Sequence, residues 1–481
     1  MGEQRRSCKI ISVYSSTNAR SKTGYAVNLA AALNSVAHAR VALIKESEKQ
    51  RLEELTDDHQ YIVIDLPAEA DESVYETLSR SDSIHLFVDS SREGLGNAYT
   101  FLEGMLKKGL EEAHKRIKVV VNRLDIFDKF SVDEMSWLVK RDVWAVVPEP
   151  GITEQLIDSK GIPLVLKSPA SACSKAITRI AKREAGKLLG LALGSGAAFG
   201  LAHIGVLRVL EKNQIAIDAA SGSSIGALIA SMLGLGFSPD KIERAAKRLS
   251  KKLNILRLLD FTVPVSGILA GKRLKGFLRS ILGEKTFEDL EIPVKIMVYD
   301  LANRETLAIE KGLLVDAVYM SIAVPGIFEP KTEKGRMIID GGVSDPVPVD
   351  ILLRHGVKKI IAVNVLPGPG DIHERNMLLK KRMGEEENLM RNSPFYIKLG
   401  IQAGRFLRKV FTPNIFDVIM TTMQSMEYVL AENSCKKADV VLHPVFPDAT
   451  SIDFHLLRSF IRRGEEETAS RIEEIKALAL R

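Results

Sequence analysis

Residues 221–233 read Ser-Gly-Ser-Ser-Ile-Gly-Ala-Leu-Ile-Ala-Ser-Met-Leu, a run of small residues followed by an apolar stretch. The apolar part is typical of a buried helix. Gly222 and Gly226 flank Ser224 in the pattern Gly-x-Ser-x-Gly, and a cramped strand-to-helix turn needs small residues at those positions. Such a turn exposes the serine hydroxyl at the positive end of the helix dipole, where it can act as a nucleophile. A simple packing turn would use the same residues, so both interpretations stay open for the pentapeptide alone.

Short apolar runs alternate with helical stretches on both sides of this motif, which predicts parallel sheets covered by helices. The predicted strands are Lys9–Tyr14, Val41–Ile44, Tyr61–Leu66, Ile84–Val88, Ile117–Val121, Val143–Val147, Leu189–Leu193, Val294–Tyr299, Met337–Ile339, Lys359–Val365 and Asp439–Leu442. A charged stretch at 182–187 separates two such series. We therefore expect an α/β protein of two domains, residues 1–183 and 184–481, each a mostly parallel sheet covered by helices. The charged stretch Gly368–Thr412 is interpreted as an insertion or loop.

Composition excludes several functional classes. Hydrophobic residues make up 46% and charged residues 27% of the 481 residues, as in an ordinary globular protein. The formal net charge of +6 is too mild for a nucleic-acid binder, so no nucleic-acid partner is expected. Three scattered cysteines favour a reducing, cytoplasmic location, and no metal-ligand spacing occurs, so we expect neither a metal nor a cofactor. The uncharged runs Leu188–Leu207 and Ala219–Pro239 are too rich in glycine for membrane spans.

Two further segments raise the significance of Ser224. Residues 194–200 read Gly-Ser-Gly-Ala-Ala-Phe-Gly, directly after a predicted strand and before a helix beginning near Leu201. A loop of this kind exposes backbone N–H groups, as an oxyanion hole requires. The competing interpretation is a dinucleotide-binding loop, but the third glycine is displaced by one residue and Phe199 stands where Gly or Ala belongs.

The second segment is Asp340 with Gly341 and Gly342, at the end of the apolar strand Met337–Ile339. An aspartate at the carboxyl end of a strand is well placed to approach a serine in an open α/β sheet. The histidines offer no motif that would place one beside Ser224 as the base of a Ser–His–Asp triad. A serine and an aspartate are therefore the candidate pair.

In this order the three segments resemble the patatin-like phospholipase family. Residues 191–207 are similar to its glycine-rich block, and Ala323–Pro330 to the segment before its Asp-Gly-Gly, so the resemblance covers about residues 188–475. It implies an α/β/α hydrolase with a Ser–Asp dyad, in which Ser224 is the nucleophile and Asp340 the base. It also implies an oxyanion hole at the backbone N–H groups of Gly194, Gly196 and Ala197. One departure is Phe199, where the family usually has Arg or Lys.

The N-terminal part has a looser resemblance to the P-loop of MinD/ParA-type ATPases, over roughly residues 9–180. Lys22 and Thr23 precede a predicted helix, and Asp65 ends a strand similar to the Walker B strand of that family. Asn18, Ala19 and Ser21 stand where glycines must expose N–H groups to phosphates, and Thr17 replaces the signature lysine. We therefore expect a degenerate nucleotide site at Lys22, Thr23 and Asp65, in a domain used for docking or regulation.

Together these patterns predict a serine acyl hydrolase that cleaves carboxylic esters of lipids. The alternative is a catalytically weak or inactive regulatory or scaffold protein built from both folds, which Phe199 and the eroded P-loop favour. The expected partners are a lipid or phospholipid substrate and a protein that docks on the N-terminal domain. Transient, peripheral membrane contact would suit the basic amphipathic stretches at Phe395–Phe411 and at residues 272–279. A core-packed helix with solvated charges is the alternative interpretation of both stretches.

Overall fold

The computed structural model describes residues 8–16, 19–123, 130–150, 155–248, 260, 267–333, 335–392 and 415–480. The chain forms two compact units, Met1–Lys187 and Leu188–Arg481. Both are built from a sheet with helices around it, so the predicted α/β class is confirmed.

The first unit is organised around a parallel sheet. Its strands are β1 (Lys9–Tyr14), β2 (Val41–Lys45), β3 (Tyr61–Asp65), β4 (Ser83–Asp89), β5 (Ile117–Arg123) and β6 (Val143–Pro148), in the order β2-β3-β1-β4-β5-β6. Each neighbouring pair is parallel. The helices are Ala19–Ala37, Leu52–Asp58, Glu72–Arg80, Arg92–Lys107, Glu111–Lys115, Val132–Val139, Leu164–Lys167 and Ala172–Glu184. Apolar side chains form separate cores on the two faces of the sheet, as the crossover helices of a parallel sheet require.

The second unit contains a mixed sheet in the order β13-β14-β10-β8-β7-β15-β16, with β11 also paired to β10. Its strands are β7 (Leu189–Leu193), β8 (Ala219–Ser223), β9 (Gly267–Leu269), β10 (Val294–Asp300), β11 (Glu305–Ile309), β12 (Gly326–Phe328), β13 (Lys331–Glu333), β14 (Arg336–Asp340), β15 (Lys359–Val363) and β16 (Val440–Leu442). The centre, from β10 through β8 and β7 to β16, is parallel, whereas β11 and β14 run antiparallel to β10. Strands β9 and β12 form a separate ribbon.

Helices cover this second sheet. They are Ala202–Lys212, Ile225–Gly234, Pro239–Lys247, Lys272–Leu282, Leu314–Ile322, Val349–Arg354, Pro369–Asn392, Ile415–Cys435, Leu457–Ser470 and Ile472–Leu480. The two uncharged runs noted in the sequence form β7 and β8 with the helices that follow them. In the part of the chain that the structure describes, no helix combines the length and the hydropathy needed to cross a bilayer.

The order of the central strands determines where a site can form. Strand β7 lies between β8 and β15, so the strand order reverses at β7: the chain continues to β8 on one side and later returns to β15 on the other. In an open parallel sheet such a switch point leaves a crevice at the carboxyl ends of the strands. The loop after β7 and the turn after β8 both begin at this edge.

One local prediction needs correction, and the strand that precedes Ser224 is missing from the predicted set. The stretch Gly368–Thr412 was expected to be irregular, but its first half is the helix Pro369–Asn392, with proline at the first helical position. Its many Glu, Lys, Arg, Leu and Met residues are helix formers, which explains the difference. Strand β8, with the sequence Ala-Ala-Ser-Gly-Ser, has no β-branched residue, and strand propensity alone would not find it.

Candidate active site

Ser224 lies at a sharp turn between β8 and the helix Ile225–Gly234. Its backbone has φ +54° and ψ −123°, a conformation that a non-glycine residue adopts only under strain of about 1–3 kcal/mol. The surrounding structure maintains it, because the Ser224 N–H donates a hydrogen bond of 2.9 Å to Ser321 Oγ. Ser321 in turn donates to the carbonyl of Met297 in β10 over 2.7 Å. The turn is therefore fixed against the sheet and presents the Ser224 side chain beyond the strand.

The glycines of the motif are required by steric contact rather than by backbone conformation. A Cβ atom at Gly222 would overlap the carbonyl oxygen of Gly226, and one at Gly226 would overlap the carbonyl oxygen of Leu193 in β7. Backbone therefore packs directly against backbone on both sides of Ser224, at Gly222 in β8 and at Gly226 in the helix. This contact explains why the pattern Gly-x-Ser-x-Gly locates the turn so well from sequence.

Asp340 ends β14, and the Ser224 hydroxyl lies close enough to its carboxyl group to lower the pKa of that group. Its side chain is buried, with only 3% of the residue exposed, and the Gly342 N–H donates to its Oδ1 over 2.7 Å. Burial raises the pKa of Asp340 to about 7, against the opposing effect of the hydrogen bonds from Ser224 and Gly342. A Cβ atom at Gly341 would overlap the carbonyl of Met297, which explains the first glycine after the aspartate. A carboxylate with a pKa near neutrality is suited to accept and return a proton.

The glycine loop after β7 offers fewer free N–H groups than the sequence suggested. The Gly194 N–H donates to the carbonyl of Val363 in β15 over 3.0 Å, so it belongs to the sheet. The next amide, that of Ser195, donates to the carbonyl of Pro346 over 2.8 Å. Gly194 is therefore not available as the oxyanion donor that the sequence analysis included.

Gly196 and Ala197 lie in a different position. They precede the first hydrogen bond of the 3₁₀ turn Ala197–Leu201, which runs from the Phe199 N–H to the Gly196 carbonyl over 3.1 Å. The first N–H groups of a helical turn have no partner within the turn. Ala197 has φ +48°, so the loop is strained at this point as well. The candidate oxyanion donors are therefore narrowed to Gly196 and Ala197.

His203 braces this loop from the following helix. The side chain is fully buried, and its Nε2 lies 2.9 Å from the Gly194 carbonyl, to which a neutral ring donates. Burial lowers the pKa of His203 to about 4, so the ring is uncharged at neutral pH. In this structure the histidine holds a backbone carbonyl, which is a positioning contact.

Phe199, the departure from the family pattern, points into the apolar core. It is 4% exposed and packs edge-on against Phe460 of the helix Leu457–Ser470, with ring centroids 5.9 Å apart. The aromatic side chain therefore contributes packing between the loop and a helix near the C-terminus.

Ser195 and Glu427 belong to the same cluster, and sequence reasoning missed both. Glu427 lies on the helix Ile415–Cys435, is 6% exposed, and interacts with the Ser195 hydroxyl. A Cβ atom at Gly342 would stand 2.6 Å from Ser195 Oγ and 3.1 Å from Asp340 Oδ1, so Ser195 lies beside the aspartate. Burial, and secondly the charge of Asp340, raise the pKa of Glu427 to about 8. No motif marks this glutamate within its helix.

A known family model matches the part of the chain that carries Ser224 and Asp340. Residues 191–353 match the family model described as patatin-like phospholipase. The second unit contains a patatin-like phospholipase domain. The match includes both Ser224 and Asp340 and ends before the helix that carries Glu427.

The chain is also similar in sequence to several curated proteins. The chain is 36% identical over 175 residues to an uncharacterized NTE family protein of Mycobacterium bovis, covering 36% of this chain and 48% of that protein. It is 28% identical over 283 residues to the lysophospholipase NTE1 of Debaryomyces hansenii, covering 57% and 17%. A neuropathy target esterase of Drosophila melanogaster is 30% identical over 192 residues, covering 39% and 14%. The chain thus spans less than half the length of these relatives.

Similar solved structures were found for both parts of the chain. A MinD cell division protein of Aquifex aeolicus has a TM-score of 0.32 at 18% identity and covers 37% of this chain and 97% of that one. A ParA family ATPase from Chlorobium tepidum has a TM-score of 0.31 at 18% identity, covering 36% and 98%. VipD from Legionella pneumophila has a TM-score of 0.33 at 15% identity, covering 60% and 67%.

In the candidate nucleotide site of the first unit, the expected binding residues contact one another. Lys22 is 2% exposed, and its ammonium forms an ion pair of 2.9 Å with Asp65 Oδ1 and donates to the Leu66 carbonyl. Thr23 Oγ1 donates to Asp65 Oδ2 over 2.7 Å. Thr17 and Asn18 lie outside the described residues. Lys22, Thr23 and Asp65 are thus brought together, but the lysine and the threonine bind the aspartate.

The basic helix of the patatin-like domain, Lys272–Leu282, packs its apolar side inward. Leu278 and Leu282 are buried, while Lys275 pairs with Asp316 over 2.6 Å and Arg279 with Glu284 over 2.7 Å. These contacts favour the core-packed interpretation of this stretch. The other basic stretch, Phe395–Phe411, lies outside the described residues. Among the described residues, no group of three or more His, Cys, Asp or Glu side chains could hold a metal ion.

Proposed function

We propose that the patatin-like domain is a serine acyl hydrolase that cleaves carboxylic esters of lipids, with Ser224 as nucleophile and Asp340 as general base. The observation that carries the proposal is the interaction of the Ser224 hydroxyl with the buried Asp340 carboxyl group. The two residues lie on opposite sides of β10, in which Met297 pairs with Ser223 and Val298 pairs with Asp340. The strained backbone of Ser224 also supports the proposal, because a nucleophile elbow holds its serine in a strained turn between a strand and a helix. Family membership of the domain and the names of its relatives, a lysophospholipase and an esterase, support the substrate class.

The reaction proceeds in two halves. Ionised Asp340 takes the proton of the Ser224 hydroxyl as its oxygen attacks the acyl carbonyl, and the tetrahedral intermediate carries the negative charge on the former carbonyl oxygen. Asp340 then returns the proton to the departing alcohol, which leaves an acyl ester on Ser224. In the second half a water molecule gives its proton to Asp340 and attacks the ester. Collapse of that intermediate releases the fatty acid and returns the proton to Ser224.

The oxyanion is stabilised by backbone groups that are already in place. Gly196 and Ala197 are the candidate donors, because their N–H groups come before the first hydrogen bond of the 3₁₀ turn. The helix Ile225–Gly234 adds the positive end of its dipole next to Ser224. Loss of one such donor typically slows the chemical step by about 10²–10³-fold. A fixed cation at position 199 is not needed for this stabilisation.

The test is covalent labelling by a fluorophosphonate probe, followed by hydrolysis of a monoacyl phospholipid in micelles. We expect wild type to be labelled and active, and Ser224→Ala and Asp340→Asn to lose both properties. The matched controls are Ser231→Ala, a buried serine whose hydroxyl bonds the Ala227 carbonyl of its own helix, and Asp345→Asn, an aspartate just after the Asp-Gly-Gly turn. Both controls should keep labelling. Labelling or hydrolysis that persists in folded Ser224→Ala would refute the assignment.

The alternative, a non-catalytic scaffold, makes the opposite prediction in the same experiment, since folded wild type would then not be labelled.

For the first unit we propose docking or regulation rather than nucleotide turnover. The support is the ion pair between Lys22 and Asp65, which uses the charges that a bound nucleotide and its cation would need.

A further inference from the structure

Glu427 reaches the dyad from an element outside the part that matches the family model. Its helix, Ile415–Cys435, runs past the short 3₁₀ turn Gly341–Val343 that follows Asp340. Glu427 is almost fully buried, and its carboxyl group lies against the hydroxyl of Ser195, in the middle of the loop that contains Gly196. Among the described residues this glutamate has one hydroxyl partner and no cation, which is unusual because burial penalises the charged form. It therefore calls for an account of its charge.

The nearest ionisable neighbour of Glu427 is Asp340, and the two carboxyl groups interact as like charges. Two buried carboxylates in one pocket do not ionise together at low cost, so one retains its proton. The order is set by their partners. Asp340 interacts with the Ser224 hydroxyl and accepts from the Gly342 N–H, whereas among the described residues Glu427 has only the Ser195 hydroxyl. Asp340 is therefore the first to lose its proton.

Other described charged groups on or near this helix have partners of their own. Asp345 interacts with Asp350, Arg354 and Lys437. Glu432, one turn beyond Glu427 on the same helix, pairs with His443 over 3.1 Å and accepts from Asn364 over 3.1 Å. In the part of the chain that the structure describes, the electrostatic partners of Glu427 are Asp340 and the Ser195 hydroxyl.

We infer that Glu427 is a positioning residue of this site, which as a neutral acid hydrogen-bonds Ser195 beside the oxyanion loop and leaves the single negative charge of the pocket on Asp340. The inference rests on the proposed function for its catalytic consequence. While Glu427 is neutral, Asp340 can take the Ser224 proton without a second anion close to the developing oxyanion. Once Glu427 ionises, its negative charge repels the oxyanion of the transition state and attracts the Ser195 hydroxyl.

The rate of the serine reaction should therefore depend on pH in both directions. It rises as Asp340 ionises, with a midpoint near its pKa of about 7, and falls as Glu427 ionises, with a midpoint near its pKa of about 8. One pH unit above the second midpoint, about a tenth of the molecules retain neutral Glu427, so the rate falls to about a tenth of its limit. Removing the ionisation of Glu427 should abolish the fall and keep the rise.

The decisive measurement is the second-order rate of fluorophosphonate labelling between pH 5.5 and 10 in three proteins. These are wild type, Glu427→Gln, which keeps the hydrogen-bonding shape without a charge, and Glu432→Gln, the matched change on the same helix. We expect a bell-shaped profile in wild type and Glu432→Gln, and a profile that rises to a plateau in Glu427→Gln. A residue that only packs would give the same profile in all three. Retention of the alkaline fall in Glu427→Gln would overturn the inference.

A second measurement separates this inference from the proposed function. Infrared difference spectra of folded wild type and Glu427→Gln at pH 7.5 report protonated carboxyl groups whether or not the protein is an enzyme. We expect one protonated carboxyl band that is present in wild type and absent from the variant. If wild type is never labelled but shows this band, the hydrolase assignment fails and the charge state of Glu427 stands. If the two spectra agree in the carboxyl region, Glu427 is not a neutral acid and the inference fails.

Discussion

Replacing Asp340 by asparagine should remove activity and at the same time stabilise the fold. Burial holds the pKa of Asp340 at about 7, compared with 3.8 for an exposed aspartate. The difference of about 3 pH units, at about 1.4 kcal/mol for each unit, makes the ionised form about 4 kcal/mol less favourable in the folded protein than in the unfolded chain. Asparagine carries no charge, and its carbonyl oxygen can still accept from the Gly342 N–H. The variant therefore escapes this cost.

The sign of the effect fixes its pH dependence. Below pH about 4 the carboxyl group is protonated in both states, and the two proteins should unfold with similar free energies. Between pH 4 and 7 the unfolded chain releases the proton of Asp340 while the folded wild type retains it, so the stability of wild type falls as pH rises. Above pH 7 the difference is complete, and the free energy of unfolding of Asp340→Asn should exceed that of wild type by up to about 4 kcal/mol.

Differential scanning calorimetry at pH 4, 5, 6, 7 and 8 measures this difference, and fluorophosphonate labelling at pH 7 measures the loss of function in the same preparations. The comparison at pH 4 is the internal control, since folded Asp340 is protonated there and the unfolded aspartate, with a pKa of 3.8, is only about half ionised, so the expected difference is below about 1 kcal/mol. A stability difference that stays constant from pH 4 to 8 would refute the reasoning. It would mean that Asp340 ionises in the folded protein as easily as in water.

The remaining predictions concern packing and the first unit. Phe199→Ala should lower the free energy of unfolding by about 3–5 kcal/mol. Phe199→Arg should lower it by more, because the arginine charge would be buried without a partner. Denaturant titration measures both effects, and a stable, more active Phe199→Arg would contradict the core position of this side chain. Gly226→Ala should abolish labelling because its Cβ overlaps backbone, whereas Gly276→Ala, a helical position with open space, should keep labelling and gain up to about 1 kcal/mol. Equilibrium binding of labelled ATP should show no saturable site in wild type, and binding that Lys22→Ala removes would disprove the degenerate site.

The parts of the fold that were predictable have strong local signals. Strands such as Ile117–Arg123 are runs of β-branched residues between helices, and the alternation of the two elements determines a parallel sheet. The elbow at Ser224 was predictable for a different reason. Its glycines are the residues that the close contact of backbones permits, so the local sequence reflects the local geometry.

The rest of the site depends on contacts between segments that are far apart in the chain. No pattern near Gly194 indicates that its N–H bonds to Val363, because that hydrogen bond depends on which strand pairs with β7. The direction of Phe199 is set by Phe460. Glu427 occupies an ordinary helical position, and only the packing of its helix against the turn after Asp340 brings it into the pocket. Such side chains become visible once the sheet order is known.

The position of β7 in the middle of the sheet affects how the patatin-like domain can be divided for expression. A recombinant fragment limited to the family match, 191–353, would lack β15, β16 and the helix Leu457–Ser470. The remaining residues of β7, 191–193, would then form an edge whose hydrogen-bonding groups are open to pairing with another molecule. The apolar surface now covered by Phe460 would be exposed to water beside that edge. A fragment cut at the limits of the family match would therefore be expected to aggregate, although Ser224 and Asp340 would both be present.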